Sequence, residues 1–172
     1  VDYTPGIFDI TFDEYREQEQ VHSTLANQLA LYVVLYSPMQ MAADLPENYL
    51  GDDGNLHPMF QFIQDVPVDW DESNILNAEI GDYVVTTRKA KDSDSWFLGA
   101  VTDENERTMD VALDFLDEGK TYQATIYRDG EDAHWEDNPT DYEIETQEVS
   151  SGDTLELWMA PGGGTAISFE AM

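Results

Sequence analysis

The sequence predicts an α+β chain: a mainly helical segment over residues 1–70, then an all-β antiparallel sandwich of about eight strands over residues 71–172. Three observations predict it. Apolar residues recur at helical spacing through the first segment and at a spacing of two from about Asp71 onward. The turn-forming sequences "DEGK", "RDGED", "SSGD" and "PGGG" separate the alternating runs of the second segment. In the first segment a short apolar run, "MQMAAD" (39–44), stands between two helix-like stretches, and helix, strand, loop, helix is one unit of an α/β repeat.

Taken in order, "TFDE" (11–14) has capping-box spacing and opens a short polar helix. Ser23 is placed to cap the next helix, "TLANQLALYVVLY". There Leu25, Leu29, Val33 and Tyr36 form one stripe, and the opposite side is also largely apolar. A helix apolar nearly all round is buried in a larger body. Pro38 ends it. "MQMAAD" follows, bounded by turn signals, as a strand buried on both faces. "HPMFQFIQDV" is a second helix with Pro58 at its first position and a stripe of Met59, Phe62, Ile63 and Val66. A sheet needs more than one strand, so the first segment reads as part of a larger object. The boundary falls near "VPVDWDESN" (66–74). Beyond it, "RTMDVALDFL" puts Met109, Val111, Leu113 and Phe115 on one face and Thr108, Asp110 and Asp114 on the other. "DYVVTTR", "SWFLGAV", "TYQATIYR", "DYEIETQEV", "DTLELWM" and "TAISFEA" are further strands. Close turns between short strands imply a sandwich or barrel.

Charge is the strongest bulk signal. Lys and Arg total 7 against 37 Asp and Glu, a formal net charge of -30, spread from Asp2 to Glu170. An apolar fraction of 41% with 12% aromatics excludes a disordered acidic tail. Two like charges about 10 Å apart in water repel by about 0.4 kcal/mol, and dozens of such pairs weigh on a folded domain. At about 1 M salt the screening length falls to about 3 Å. Composition therefore points to a protein adapted to concentrated salt. It also argues against nucleic acid as a partner, because phosphate binding needs a basic patch. No apolar run reaches the roughly 20 residues that span a membrane. The absence of cysteine removes disulfides and thiolate metal sites.

The first segment closely resembles the end of the catalytic domain of glycoside hydrolase family 97, whose members are α-glucosidases and α-galactosidases. "VDYTPGIFDI", "HSTLANQLALYVVLYSPMQMAADLPENY" and "FQFIQDVPVDWDES" carry that resemblance. The second segment resembles the C-terminal β-sandwich of the same family through "LNAEIGDYVVTTRKAKDSDSWFLGAVTDE", "YQATIYRDG", "NPTDYEIE" and "MAPGGGTAI". The resemblance implies that residues 1–70 are the remnant of a (β/α)8 barrel end, with "MQMAAD" its last strand. It implies a parent enzyme acting on α-linked oligosaccharides with calcium in its site. The catalytic carboxylates and calcium ligands would lie on earlier loops, so none is carried onto this chain. It further implies that the sandwich is an accessory and oligomerisation module.

Active sites of such barrels lie at the C-terminal ends of their strands. Asp44 stands at that end of "MQMAAD", and Asp2 and Tyr3 follow the preceding strand position, so all three are candidates for a substrate face. The alternative is that Asp44 caps the following turn and Asp2 orders its loop. His22, His57 and His134 lack metal-ligand spacing and read as solvated or capping residues. "GDDGN" and "RDGEDAHWEDN" do not fit a calcium loop, and "APGGGTA" lacks the Lys and helix of a phosphate loop. Trp96, Trp135, Trp158, Tyr127 and Tyr142 all fall in the sandwich, where aromatic rings either stack on sugars or pack against a neighbouring surface. Trp158 alternates out of phase with Leu155, Leu157 and Met159 and is expected to point outward. Two readings stay open: the C-terminal region of an α-glycosidase, inactive alone and completed by upstream barrel residues or self-association, or a non-catalytic sandwich module for oligomerisation or carbohydrate binding.

Overall fold

The computed structural model describes residues 3–11, 19–51 and 53–172. Two helices, α1 (Leu25–Val34) and α2 (Phe60–Asp65), and a 3-10 turn at Pro46–Tyr49 precede eight strands. The strands are β1 (Trp70–Glu79), β2 (Tyr83–Ala90), β3 (Trp96–Thr102), β4 (Arg107–Ala112), β5 (Thr121–Asp129), β6 (Tyr142–Ser150), β7 (Thr154–Met159) and β8 (Gly164–Ala171). Six of them form one sheet in the order β1-β2-β3-β8-β5-β6, and β4 pairs with β7 in a second layer. Every pairing is antiparallel.

The core between the layers follows the alternation in the sequence. Trp96, Leu98, Tyr122, Ile126, Ile167 and Phe169 of the large sheet meet Val111, Leu155, Leu157 and Met159 of the small one. β4 ends at Ala112, but the chain keeps its phase, so Leu113 is fully buried and Phe115 packs on the same core. β1 was absent from the predicted strands, and the predicted boundary runs through its start. "WDESNILNAE" is rich in residues that disfavour strands and shows no clean alternation. It becomes a strand because β2 offers it a ladder, with two register irregularities, and it exposes most of its side chains as an edge.

The large sheet has a second buried face. α1 and α2, with Phe8, Ile10, Tyr49 and Met59, pack on its outer side against Ala90, Phe97, Tyr127 and Ala166. Thr24, not Ser23, caps α1: its hydroxyl accepts the Asn27 N–H. Ser23 instead accepts from the Gln28 side-chain amide. The helix stops at Val34, where Arg88 Nε donates to the Val33 carbonyl at 2.7 Å and places a positive charge at the negative end of the helix dipole. α2 is shorter than predicted, with Pro58 in the turn before it.

The predicted buried strand is not one. Residues 39–44 form no strand, and Met39 and Met41 are 72% and 56% exposed. Among the described residues the backbone bond linking this run to a neighbouring segment is Ala43 N–H to the Pro5 carbonyl. An apolar run cannot hold a ladder on both sides without two partner strands, and the sandwich strands pair elsewhere. The proposed capping box at 11–14 lies largely outside the described residues.

Candidate functional site

Two places concentrate polar side chains in apolar surroundings. The first is where the N-terminus of α1 meets the sandwich. Asp129, the last residue of β5, is 2% exposed. Its Oδ1 accepts the Thr24 hydroxyl at 2.6 Å, and its Oδ2 accepts the N–H groups of Ala160 and Gly164, each at 2.9 Å. One carboxylate thus ties the cap of α1 to the start and end of the turn between β7 and β8. Burial pushes this carboxyl up to about 6 against the pull of its three donors, and the nearby Asp141 carboxylate adds to the rise. Beside it, the Asn27 amide donates to the Gly163 carbonyl. Gly163 itself leaves no room for a side chain, since a Cβ there would lie 2.0 Å from Asp129 Oδ2.

The second place is the loop cluster that holds two of the three predicted site residues. Asp44 Oδ2 accepts the N–H groups of Phe8 and Asp9 at 2.8 and 2.7 Å, and Oδ1 accepts the Leu45 N–H and the Asn48 amide. Burial opposes ionisation of Asp44, but hydrogen bonds from Asp9, Asn48, Phe8 and Leu45 outweigh it and hold the carboxyl below its ordinary range. The Tyr49 hydroxyl accepts the Asp44 N–H and donates to the Gly6 carbonyl, and Gln28 Oε1 accepts the Gly6 N–H from below. Asp44 therefore orders its own turn and clamps the 6–9 segment with oxygens already engaged. These bonds are the ones the capping alternative for this residue expects. Tyr3 is 44% exposed at the start of the same segment. Asp2 lies outside the described residues.

Among the described residues no three His, Cys, Asp or Glu side chains come together as a metal-holding group, so these residues do not fit a calcium centre. His57 sits between Phe8 and Tyr142, where burial lowers its pKa, and its Nδ1 accepts the Met59 N–H. His134 Nδ1 accepts the Glu136 N–H, and His22 lies against Trp135. Asp53 of "GDDGN" closes a turn on Asn55. Of the five aromatics, Trp96 and Tyr127 are core residues, Tyr142 and Trp135 pack on histidines, and Trp158 is half-buried on the outer side of β7.

The sequence reading missed Asp129, Asn27 and Gln28. A signal was present: two adjacent amides inside an otherwise apolar helix mark positions whose polar atoms must find buried partners.

With this geometry in view, comparison with known proteins is informative. The profile of the family described as "Glycosyl-hydrolase 97 C-terminal, oligomerisation" matches residues 69–170. A retaining alpha-galactosidase of Bacteroides thetaiotaomicron is 37% identical over 147 residues, covering 86% of this chain and 21% of that protein. A glycoside hydrolase family 97 enzyme from Pseudoalteromonas sp. strain K8, solved in complex with acarbose, has a TM-score of 0.91 and 49% identity over 99% of this chain and 26% of its own. A second structure of that enzyme, with panose, gives the same similarity. The chain spans about a fifth to a quarter of the length of these relatives.

Proposed function

The chain belongs, through residues 69–170, to the glycosyl-hydrolase 97 C-terminal family, and from that premise we propose that it is the C-terminal, non-catalytic part of an α-glycosidase. The parent reaction is hydrolysis of an α-linked galactoside or glucoside, in keeping with the alpha-galactosidase relative and the acarbose and panose complexes. Residues 1–70 are the end of its catalytic (β/α)8 barrel and residues 71–172 the accessory sandwich. The sandwich buttresses the barrel and joins subunits, and the oligomerisation named in the family description supports the second role. Any calcium of the parent site sits on loops outside this chain. The parent works in concentrated salt, which the net charge of -30 on this chain supports.

One observation carries this reading. The helical segment packs on the outer face of the large sheet, yet it leaves six large apolar side chains exposed: Tyr36, Met39, Met41, Leu45, Leu50 and Leu56. Apolar surface of that extent marks a contact face. The run 39–44, whose one backbone–backbone bond to a neighbouring segment runs to Pro5, has the sequence of a buried strand and the surroundings of an uncovered one. The neighbouring barrel strands are the cover that suits it. Asp2, Tyr3 and Asp44 then belong to the substrate side of the barrel, with Asp44 a positioning residue for the 6–9 segment.

The test is an assay of the chain alone on nitrophenyl α-galactoside and α-glucoside with calcium present, beside light scattering in molar salt. No turnover is expected, together with self-association through the exposed apolar groups of the helical segment. Turnover that disappears in Asp44→Ala would place the catalytic machinery in this chain and overturn the proposal. A strict monomer would count against the contact role.

A further inference from the structure

The half-buried Trp158 borders a groove on the sandwich. It runs between β7 and the β5–β6 pair as two lobes of about 260 and 290 Å³ that meet at Trp158 and Arg128. Together they fall in the roughly 300–1,000 Å³ range of small-ligand sites. Trp158 forms one wall from the outer side of β7. Arg128 forms the other, fixed by Glu143 through Nε and Nη2 and by Glu145 through Nη2. Its two Nη1 hydrogens have no partner among the described residues. At the base lies Thr165, 1% exposed, whose hydroxyl also lacks a hydrogen-bond partner among the described residues. Glu131 and Glu156 stand at the rim.

This combination selects a ligand class. Anions meet five carboxyl groups, those of Asp129, Glu131, Glu143, Glu145 and Glu156, and cations meet the Arg128 guanidinium at the centre. What remains is a neutral molecule with an apolar face for the indole and hydroxyls for the donors and acceptors around it. A pyranose ring has both: axial C–H groups on its faces and hydroxyls around its edge. The fixed fork of Arg128 and the rim carboxylates provide the donor and acceptor pair that a vicinal diol requires.

We propose that the Trp158–Arg128 groove is an accessory carbohydrate site that holds one or two units of a neutral oligosaccharide, with a sugar ring stacked on Trp158 and its hydroxyls bonded to Arg128 Nη1 and the rim carboxylates. The site is separate from the Asp44 loop cluster and would anchor substrate chains to the sandwich. The choice of an α-linked sugar rests on the α-glycosidase reading above; the groove itself does not.

The experiment is calorimetric titration of the full chain in molar salt with maltotriose, melibiose and cellotriose, beside light scattering on the same samples. Saturable binding of at least one α-linked sugar at millimolar concentration is expected. Trp158→Ala should weaken it about tenfold, while Trp158→Phe should keep most of it because the stacking face survives. Arg128→Met should weaken it to a similar degree. Trp135→Ala, which alters another half-buried tryptophan, should leave it unchanged. Circular dichroism identifies any variant that fails to fold, and the Phe variant keeps the test decisive in that event. Binding of cellotriose with none of maltotriose or melibiose would uphold the groove as a sugar site while failing the α-glycosidase reading. No saturation by any of the three sugars would overturn the proposal. So would a Trp158→Ala protein that binds sugar normally, or one that changes its oligomeric mass with no change in sugar affinity, since the ring would then belong to a subunit contact.

Discussion

Asp129 shows how one buried carboxylate can join two segments and make their union depend on pH. Its three donors come from α1 and from both ends of the β7–β8 turn. Burial raises its pKa from 3.8 to about 6, which corresponds to about 3 kcal/mol of cost for holding it ionised in the native state. In the folded protein this acid binds its proton more tightly than in the unfolded chain. Its contribution to stability is fully present below about 3.8 and is lost as pH rises through about 6. Asparagine fits the same place. Its Oδ1 can accept from Ala160 and Gly164 where Oδ2 now does, and its Nδ2 can donate to a Thr24 hydroxyl turned to accept. Asp129→Asn is therefore expected to keep the fold and to flatten the fall in stability between about pH 4 and pH 6. Asp129→Ala leaves three donors unsatisfied and should cost more than about 3 kcal/mol at all pH values. Denaturant unfolding of the three proteins across that range is the measurement. An Asn variant with the parental pH slope would show that another group sets it. Little of this was legible beforehand. "YRDG" reads as the end of a strand and a turn, and the partners of its Asp lie 31 to 105 residues away in sequence.

At the scale of elements, β4, β5 and β7 were legible because each alternates over one buried face, and β1 and the 39–44 run were not because neither does. Periodicity reports burial, so the exposed edge β1 is silent, whereas the other exposed edge, β6, was legible through its alternating Tyr142, Ile144 and Thr146, and an apolar run without a ladder among the described residues is misleading. α1 was legible as a helix, but its seat was hidden in two glycines. On β3, a Cβ at Gly99 would lie 2.5 Å from the Ala30 carbonyl and 2.9 Å from Val33 Cβ. On β8, one at Gly164 would lie 2.9 Å from Asn27 Cα. These are backbone contacts that no rotamer change relieves, so the helix can rest on the sheet only where side chains are missing. Gly99→Val should therefore lift α1 off the sheet and leave the opposite core intact. The expected result by amide hydrogen exchange is loss of protection across Leu25–Val34 with β4 and β7 still protected. Uniform loss would mean that the two faces of the large sheet form one cooperative unit. No change would mean that the close approach carries no weight.

For the molecule as a whole, most cations among the described residues are already paired with carboxylates. Lys89 and Lys120 both meet Asp117, Lys120 also meets Asp94, Lys91 meets Asp69, and Arg128 meets Glu143 and Glu145. The remaining carboxylates repel one another through water, and stability should rise steeply from dilute buffer to molar sodium or potassium chloride. Acid should replace salt only in part, because two sets of groups act in opposite directions. Protonation relieves the general repulsion and favours Asp129, whose pKa is raised, so both terms add stability as pH falls toward the carboxylate range. Asp44, Asp69, Asp103 and Asp117 have lowered pKa values, and what they contribute is lost as pH falls through their folded values. A stability maximum at mildly acidic pH is the expected outcome in dilute buffer. In molar salt the long-range repulsion is screened while the buried Asp129 is not, so a shallower slope below about pH 6 should survive. Thermal unfolding by circular dichroism over a grid of pH and chloride reads both effects. A midpoint that stays fixed between about 0.05 M and about 2 M salt would sink the salt-adapted reading, because the screening length shrinks severalfold over that range.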